Sequence, residues 1–232
     1  DKHAGTYLVQ GDKIEKLNTK TDQTLSALVY PSWHPSGRYV AFSVNQTQQS
    51  FHANDKNRVE VFDKASDVVV YDVDRHEVVT CAQLSQAQAF ETFPTFAPDG
   101  RTLYFCSATA QTMPVDFKQV KYSLCSIGFD PEQRSFSSQV DTLYSAVKGG
   151  LSASFPRVSP DGRWLLYTLS GYGNFSIWHK DADLYLADLQ TKASVPLTAV
   201  NSDDVESYHS WSSNSRWIVF SSRRLDGLYT RP

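Results

Sequence analysis

One phrase occurs four times in 232 residues: YPSWHPSGRYVAFSV (30–44), FPTFAPDGRTLYFCS (93–107), FPRVSPDGRWLLYTL (155–169) and YHSWSSNSRWIVFSS (208–222). Aligned on Pro35, Pro98, Pro160 and Ser213, the copies are 63, 62 and 53 residues apart. A period of that length commits a chain to stacking one supersecondary unit against copies of itself. Each copy begins with a short apolar segment ending at Trp33, Phe96, Val158 or Trp211. A tight turn follows: HPSGR, APDGR, SPDGR or SSNSR. Proline presets φ at the first central position, Asp or Ser bonds its local backbone, and Gly takes the left-handed position that leads into the next strand. The fourth copy has Ser215 where Gly is favoured, so its turn is expected to be the loosest.

The strand after the turn carries apolar residues at consecutive positions: Val40-Ala41-Phe42, Leu103-Tyr104-Phe105, Leu165-Leu166-Tyr167 and Ile218-Val219-Phe220. Strand side chains alternate between faces, so such a run must be covered on both. A sheet stacked between two copies of itself meets that demand and protects its edges. Third strands are expected at 67–73, 122–129 and 183–189, and fourth strands at 77–83, 135–144 and 193–199. The class is therefore all-β, a β-propeller of four-stranded antiparallel blades. The blade-like units cover about 30–83, 93–145, 155–199 and 208–232, with 6–17 completing a preceding blade. In a single propeller domain, Phe42, Phe105, Tyr167 and Phe220 are all expected to be sandwiched between sheets.

These residues carry a family resemblance. The aromatic-Pro start, the SPDGR turn, the Tyr/Phe-bearing strand and the later DLYLADL strand (183–189) resemble the WD40-like PD40 repeat of TolB-like β-propellers, over roughly residues 6–222. The resemblance implies a periplasmic or cell-envelope setting. It also implies one of three roles: a binding scaffold, a metal-assisted oligogalacturonate-type polysaccharide lyase, or the gating propeller of a prolyl-oligopeptidase-like peptidase. About four blades are visible. They could close a four-bladed ring by strand exchange between the termini, but membership of a six- to eight-bladed ring is favoured, because TolB-like propellers usually have six.

Composition narrows the partners. A formal charge of −3 offers no basic excess for nucleic acid, and no apolar run approaches the roughly 18 residues of a membrane span. Cys81, Cys106 and Cys125 show no zinc-like or haem-attachment spacing, so neither metal nor haem is indicated; whether Cys106 and Cys125 are bridged is left open. No nucleophile elbow, phosphate loop or dinucleotide fingerprint occurs. Cofactors are expected to be none, and catalytic residues none.

Repetition also sorts residues. Arg38, Arg101, Arg163 and Arg216 recur after every turn and are read as structural, as are the pairs Asp67/Asp72 and Asp183/Asp188, expected to bond turns and backbone. In an antiparallel meander the tidy turns share one face of the ring, while second-to-third connections and interblade links share the other. The irregular insertions 45–66 and 170–182 fall on that second face, where binding loops belong. They supply the candidate binding residues His52, Asp55, Lys56, Arg58, Tyr172, Trp178, His179 and Asp181. Mixed charge with aromatics suits a protein, peptide or glycan partner, and the residues read as a non-catalytic recognition scaffold. The alternating RVEVF (58–62) is expected to continue a hairpin above the ring.

Overall fold

A computed structural model describes residues 5–17, 19, 21–22, 24–25, 27–51 and 59–232. Three complete four-stranded antiparallel sheets lie between two strand pairs. The leading pair is β1 (Tyr7–Gln10) and β2 (Lys13–Lys16). The first blade contains β3 (Leu28–Trp33), β4 (Tyr39–Phe51), β5 (Val59–Asp72) and β6 (Glu77–Val79). The second contains β7 (Ala89–Phe96), β8 (Thr102–Thr109), β9 (Ser123–Asp130) and β10 (Ser135–Tyr144). The third contains β11 (Ser152–Val158), β12 (Trp164–Ser170), β13 (Asp183–Asp188) and β14 (Ser194–Pro196). The trailing pair is β15 (Glu206–Trp211) and β16 (Ile218–Ser222). Strands pair in chain order within each sheet, which makes every sheet a meander. Among the described residues no helix is long and apolar enough to cross a membrane.

The double-faced strands do what their composition requires. Apolar residues of the first and second blades, Tyr39, Val68, Val70, Phe105 and Ile127 among them, form one interblade core, and a second core joins the second and third blades through Tyr104, Leu124, Leu165 and Tyr167. The first strands β3, β7, β11 and β15 pack beside one another, so the sheets fan from a common axis. This is a β-propeller arc. Phe42, Phe105 and Tyr167 are buried, at 5%, 1% and 1% exposure. Phe220 is only partly buried, because its two-stranded sheet has the third blade on one side.

The turns have the expected chemistry. The residue closing each is left-handed: Gly37, Gly100, Gly162 and, in the fourth copy, Ser215 at φ 58°. Each donates its N–H back three residues, to His34, Ala97, Ser159 and Ser212 respectively. Gly100 has a second reason to lack a side chain: a Cβ there would lie 2.6 Å from the His34 ring, whose Nε2 bonds the Gly100 carbonyl at 2.8 Å. Ser215 closes its turn with the same backbone bond as the glycines. Its Oγ accepts the Asp161 N–H at 3.0 Å, tying the fourth turn to the third. Ser215→Gly should therefore change urea-unfolding stability by less than about 0.5 kcal/mol, relief of the left-handed strain offsetting the lost hydrogen bond; a gain above about 1 kcal/mol would show that the tie contributes nothing.

The aromatic that opens each phrase has a role its residue type does not suggest. Tyr30, Phe93, Phe155 and Tyr208 are all left-handed, with φ 54°, 52°, 51° and 48°, and each sits at a register shift in its first strand. The bulge turns the ring toward the axis. Successive rings meet there, Tyr30–Phe93 at 4.6 Å, Phe93–Phe155 at 4.1 Å and Phe155–Tyr208 at 4.5 Å.

All three cysteines are thiols. Across β8–β9, Phe105 stands opposite Cys125 and Cys106 opposite Leu124. Cys106 and Cys125 therefore lie on opposite faces of the blade, a placement that forbids a bridge.

Candidate functional site

The two faces of the arc are built differently. On one, Asp72, Asp130 and Asp188 end the third strands, and each accepts two backbone N–H bonds from the turn that follows. Those bonds and nearby arginines hold all three carboxyls below the usual range: burial works against them at Asp72, and the turn amides dominate at the half-buried Asp130 and Asp188. Arg38 and Arg163 pair with Asp72 and Asp188 at 3.3 and 3.7 Å. This half of the aspartate expectation matches the structure. Asp67 and Asp183 behave differently, since burial raises both.

The opposite face gathers the insertions. β4 and β5 run past the end of the blade as a paired ladder as far as Phe51 opposite Val59, with a bulge between Asn45 and Thr47 that bends the hairpin. It leans onto the third blade's loop, where Tyr172 OH donates to Glu60 Oε2 at 2.7 Å and His179 Nε2 lies 3.4 Å from Glu60 Oε1. Asn174 Nδ2 donates to Asp63 Oδ2 at 2.6 Å, beside Asn45 Nδ2 at 2.7 Å, while Thr47 Oγ1 donates to Asp63 Oδ1 at 2.6 Å. Burial holds Asp63 above the ordinary carboxyl range, and these three donors pull it back. Glu60, Asp63, Asn45, Asn174 and His179 are all buried.

The second blade contributes a third insertion, 110–122. Phe117 stacks on Phe62 at 5.5 Å and meets Tyr172 edge-on at 5.7 Å, with Lys118 Nζ near both the Phe117 and Tyr172 rings. The third-blade loop is anchored from below: Gly173 N donates to the Val120 carbonyl and Ser152 Oγ to the Gly173 carbonyl, and Ser176 Oγ joins Ser154 and Ser207. Insertions from three consecutive blades thus form one bridged platform.

Of the predicted site residues, His52, Asp55, Lys56 and Arg58 lie outside the described residues. Tyr172 and His179 converge on Glu60, their rings 4.3 Å apart. Trp178 faces away from that cluster, with the Arg223 guanidinium 5.7 Å from its ring. Arg223 and Lys180 lie 3.6 and 3.5 Å from Asp204. Asp181 is exposed and accepts the Gly171 N–H, closing the base of the loop. Sequence reading passed over Asn45, Glu60, Asp63, Phe117, Lys118 and Asn174. Only the alternation of 58–62 signalled any of them, and it marks two faces without saying which is inside. Here Glu60 and Phe62 turn inward, and Val59 and Val61 outward.

Chemically the cluster is a clasp. Its carboxylates, imidazole and amides are buried and bonded to one another, which rigidifies the surface, while among the described residues His179 Nδ1 and Asn45 Oδ1 carry no hydrogen bond. Among the described residues no three His, Cys, Asp or Glu side chains gather as a metal site would require. His209 is buried in the interface between the third blade and the trailing pair, where Nε2–H donates to the Leu166 carbonyl; burial and Arg157 push its pKa down to about 3.

No family model and no curated protein matches the chain. Solved structures do. TolB from Acinetobacter baumannii superposes with a TM-score of 0.55 at 17% identity, over 92% of this chain and 41% of that one. A puromycin-hydrolyzing peptidase of Mycobacterium tuberculosis superposes with a TM-score of 0.51 at 14% identity, over 90% of this chain and 26% of that one. The chain spans about two-fifths of the TolB structure it matches. At these identities the likeness is one of fold, and the fold is a TolB-like propeller.

Proposed function

We propose that the chain is a recognition propeller of the bacterial cell envelope, built from PD40-type repeats, that docks a protein or peptide partner on its insertion-bearing face and performs no bond chemistry. One observation carries the reading. Three insertions from consecutive blades are locked into a single platform, and the polar side chains that could do chemistry are used to lock it. Around the clasp the platform offers aromatic and charged side chains in mixed array, Lys118, Tyr172, Trp178 and Lys180, the composition expected of a docking surface. The SPDGR phrase and the likeness to TolB support the envelope setting.

Cross-linking in a bacterial envelope extract, read by mass spectrometry, tests this. Partner cross-links should fall on 110–122 and 170–182, and Lys118→Ala with Trp178→Ala should reduce capture at least tenfold. Arg101→Ala, on the far face, should leave capture unchanged. Cross-links confined to the Pro-Asp-Gly turns would defeat the assignment.

The clasp makes its own prediction. Tyr172→Phe with Asn174→Ala removes two hydrogen bonds worth about 1 kcal/mol each. Amide exchange in 47–51 and 59–63 should speed by about tenfold or more, while exchange in the blade cores stays the same. Equal protection in the variant would show that the hairpin stands without the third blade.

A further inference from the structure

The exposed large hydrophobic side chains are divided unequally between the two faces of the arc. Phe51 ends β4 at the far end of the first blade's hairpin, and Val115 lies in the second-blade insertion. Val147 lies in the link between the second and third blades, and Leu225, Leu228 and Tyr229 in the connection that follows β16. All of these belong to the insertion-bearing face, and their exposures run from 64% to 95%. Each complete blade has two turns on the opposite face, and none of those turns carries an exposed large hydrophobic residue. The exposed aromatics nearest those turns are Trp33, which pairs with Val40 on the side toward the leading pair, and Trp217 of the trailing pair. A single exposed valine is ordinary on any surface; a division of this kind between two faces is not.

The loops that bear these tips form one surface. Phe62 of the hairpin stacks on Phe117 of the second-blade insertion, and Lys121 Nζ donates to the Gly150 carbonyl, joining that insertion to the next interblade link. Gly173 N donates to the Val120 carbonyl, and the Arg223 guanidinium donates to the Trp178 carbonyl at 3.4 Å, which brings in the third-blade loop and the connection after β16. Lys118, Lys121, Lys148 and Lys180 are exposed on the same loops. The acids are mostly turned inward: Glu60, Asp63, Asp204 and Glu206 are buried. Among the exposed ones, Asp181 accepts the Gly171 N–H and Asp226 pairs with Arg231, which leaves Asp22 and Asp203 to set against the lysines. The outward charge of the face is therefore basic, on a chain whose net charge is −3.

We propose that this face docks peripherally on an anionic lipid surface, with Val115, Val147 and the neighbouring tips entering the headgroup layer and the lysines meeting the lipid phosphates. A protein interface gathers its apolar anchors at its centre, whereas these tips are dispersed over separate loops. A fluid surface takes each tip on its own, and lysine stems lie along the apolar layer while their ammonium groups stay at the phosphates. The inference goes beyond the docking of a protein partner and does not rest on it, because the tips lie outside the clasp.

Co-sedimentation of the whole chain with vesicles of equal parts phosphatidylcholine and phosphatidylglycerol tests it. The chain should bind them with an apparent dissociation constant for lipid of about 1 mM or tighter, and vesicles of phosphatidylcholine alone about fivefold more weakly or worse. Val115→Asp with Val147→Asp, at positions too exposed to matter for folding, should weaken binding about tenfold or more. Lys121→Glu with Lys148→Glu should weaken binding to the anionic vesicles about tenfold and change binding to phosphatidylcholine by less than about twofold. Soluble glycerol phosphate in excess should not displace the chain, since it offers no layer for the tips to enter. Neither pair of changes includes Lys118 or Trp178, so loss of vesicle binding with retained capture of a protein partner identifies the lipid contact by itself. No binding to the anionic vesicles, binding unchanged in either pair of changes, or an equal loss in Arg101→Ala on the opposite face would each overturn the proposal. Vesicle binding that appears only when envelope proteins are added would overturn it too, and assign the tips to a protein.

Discussion

Phe93→Ala should lower the unfolding free energy by about 4 kcal/mol, with an unchanged denaturant slope, the upper part of the range for truncating a buried aromatic. Phe93 is fully buried between Tyr30 and Phe155, and truncation leaves the axis open from the first blade to the third. The surroundings cannot collapse into the gap, because each neighbouring ring is held by its own left-handed bulge. Alanine at φ 52° also keeps the strain of the left-handed region, about 1 kcal/mol or more, while losing the packing that offsets it. The hydroxyl pattern supplies a control. The outer rings are the half-buried Tyr30 and the exposed Tyr208, and the inner two are the buried Phe93 and Phe155. Phe93→Tyr should therefore cost about 1–3 kcal/mol through overpacking and an unsatisfied hydroxyl, whereas Tyr208→Phe should be close to neutral. A Phe93→Ala cost below about 1.5 kcal/mol would mean that the axial stack is incidental and the blade interfaces carry the stability alone.

The same column shows where sequence reading reaches and where it stops. Turn chemistry is local: Pro, Asp and Gly act on their own φ/ψ, so Gly37, Gly100 and Gly162 could be placed before any coordinates. The run Leu165-Leu166-Tyr167 requires cover on both faces, and stacked blades follow from it. Nothing local predicts an aromatic in the left-handed region. Tyr30, Phe93, Phe155 and Tyr208 adopt it because the rings gain more at the axis than the backbone loses. The clasp was legible only as two insertions on one face. Glu60 and Tyr172 are 112 residues apart, and alternation in a strand states that faces differ, never which is buried. The insertion at 110–122 had no such pattern, so the Phe117 contribution came only from the structure. Ser215 meets the same limit, because the partner of its side chain, Asp161, lies in another blade.

Glu91→Gln should stabilise the chain by about 3 kcal/mol at pH 7.5, an unusual sign for a fully buried position. In the folded chain burial raises Glu91 to about 8, with Asp67 adding to it, whereas the unfolded carboxyl titrates near its ordinary value of about 4.3. Between those values the folded state holds a proton that the unfolded state has released. The stabilisation linked to that proton is complete below about pH 4.3 and drains away as pH rises toward 8. Glutamine keeps the shape without the charge, so its advantage should be near zero at pH 4 and grow steadily toward pH 8. His209 acts in the opposite direction. Its folded pKa is lowered to about 3, so below its unfolded value of about 6.5 protonation favours the unfolded chain, and stability falls as pH drops toward 3. The two slopes cancel between about pH 4.3 and 6.5, where the native chain should be most stable, and Glu91→Gln, leaving only the His209 slope, should move the optimum to above about pH 6.5. Urea unfolding of both chains from pH 4 to 8.5 reads the difference directly. Parallel profiles would mean that Glu91 is already paired with a counter-ion in solution.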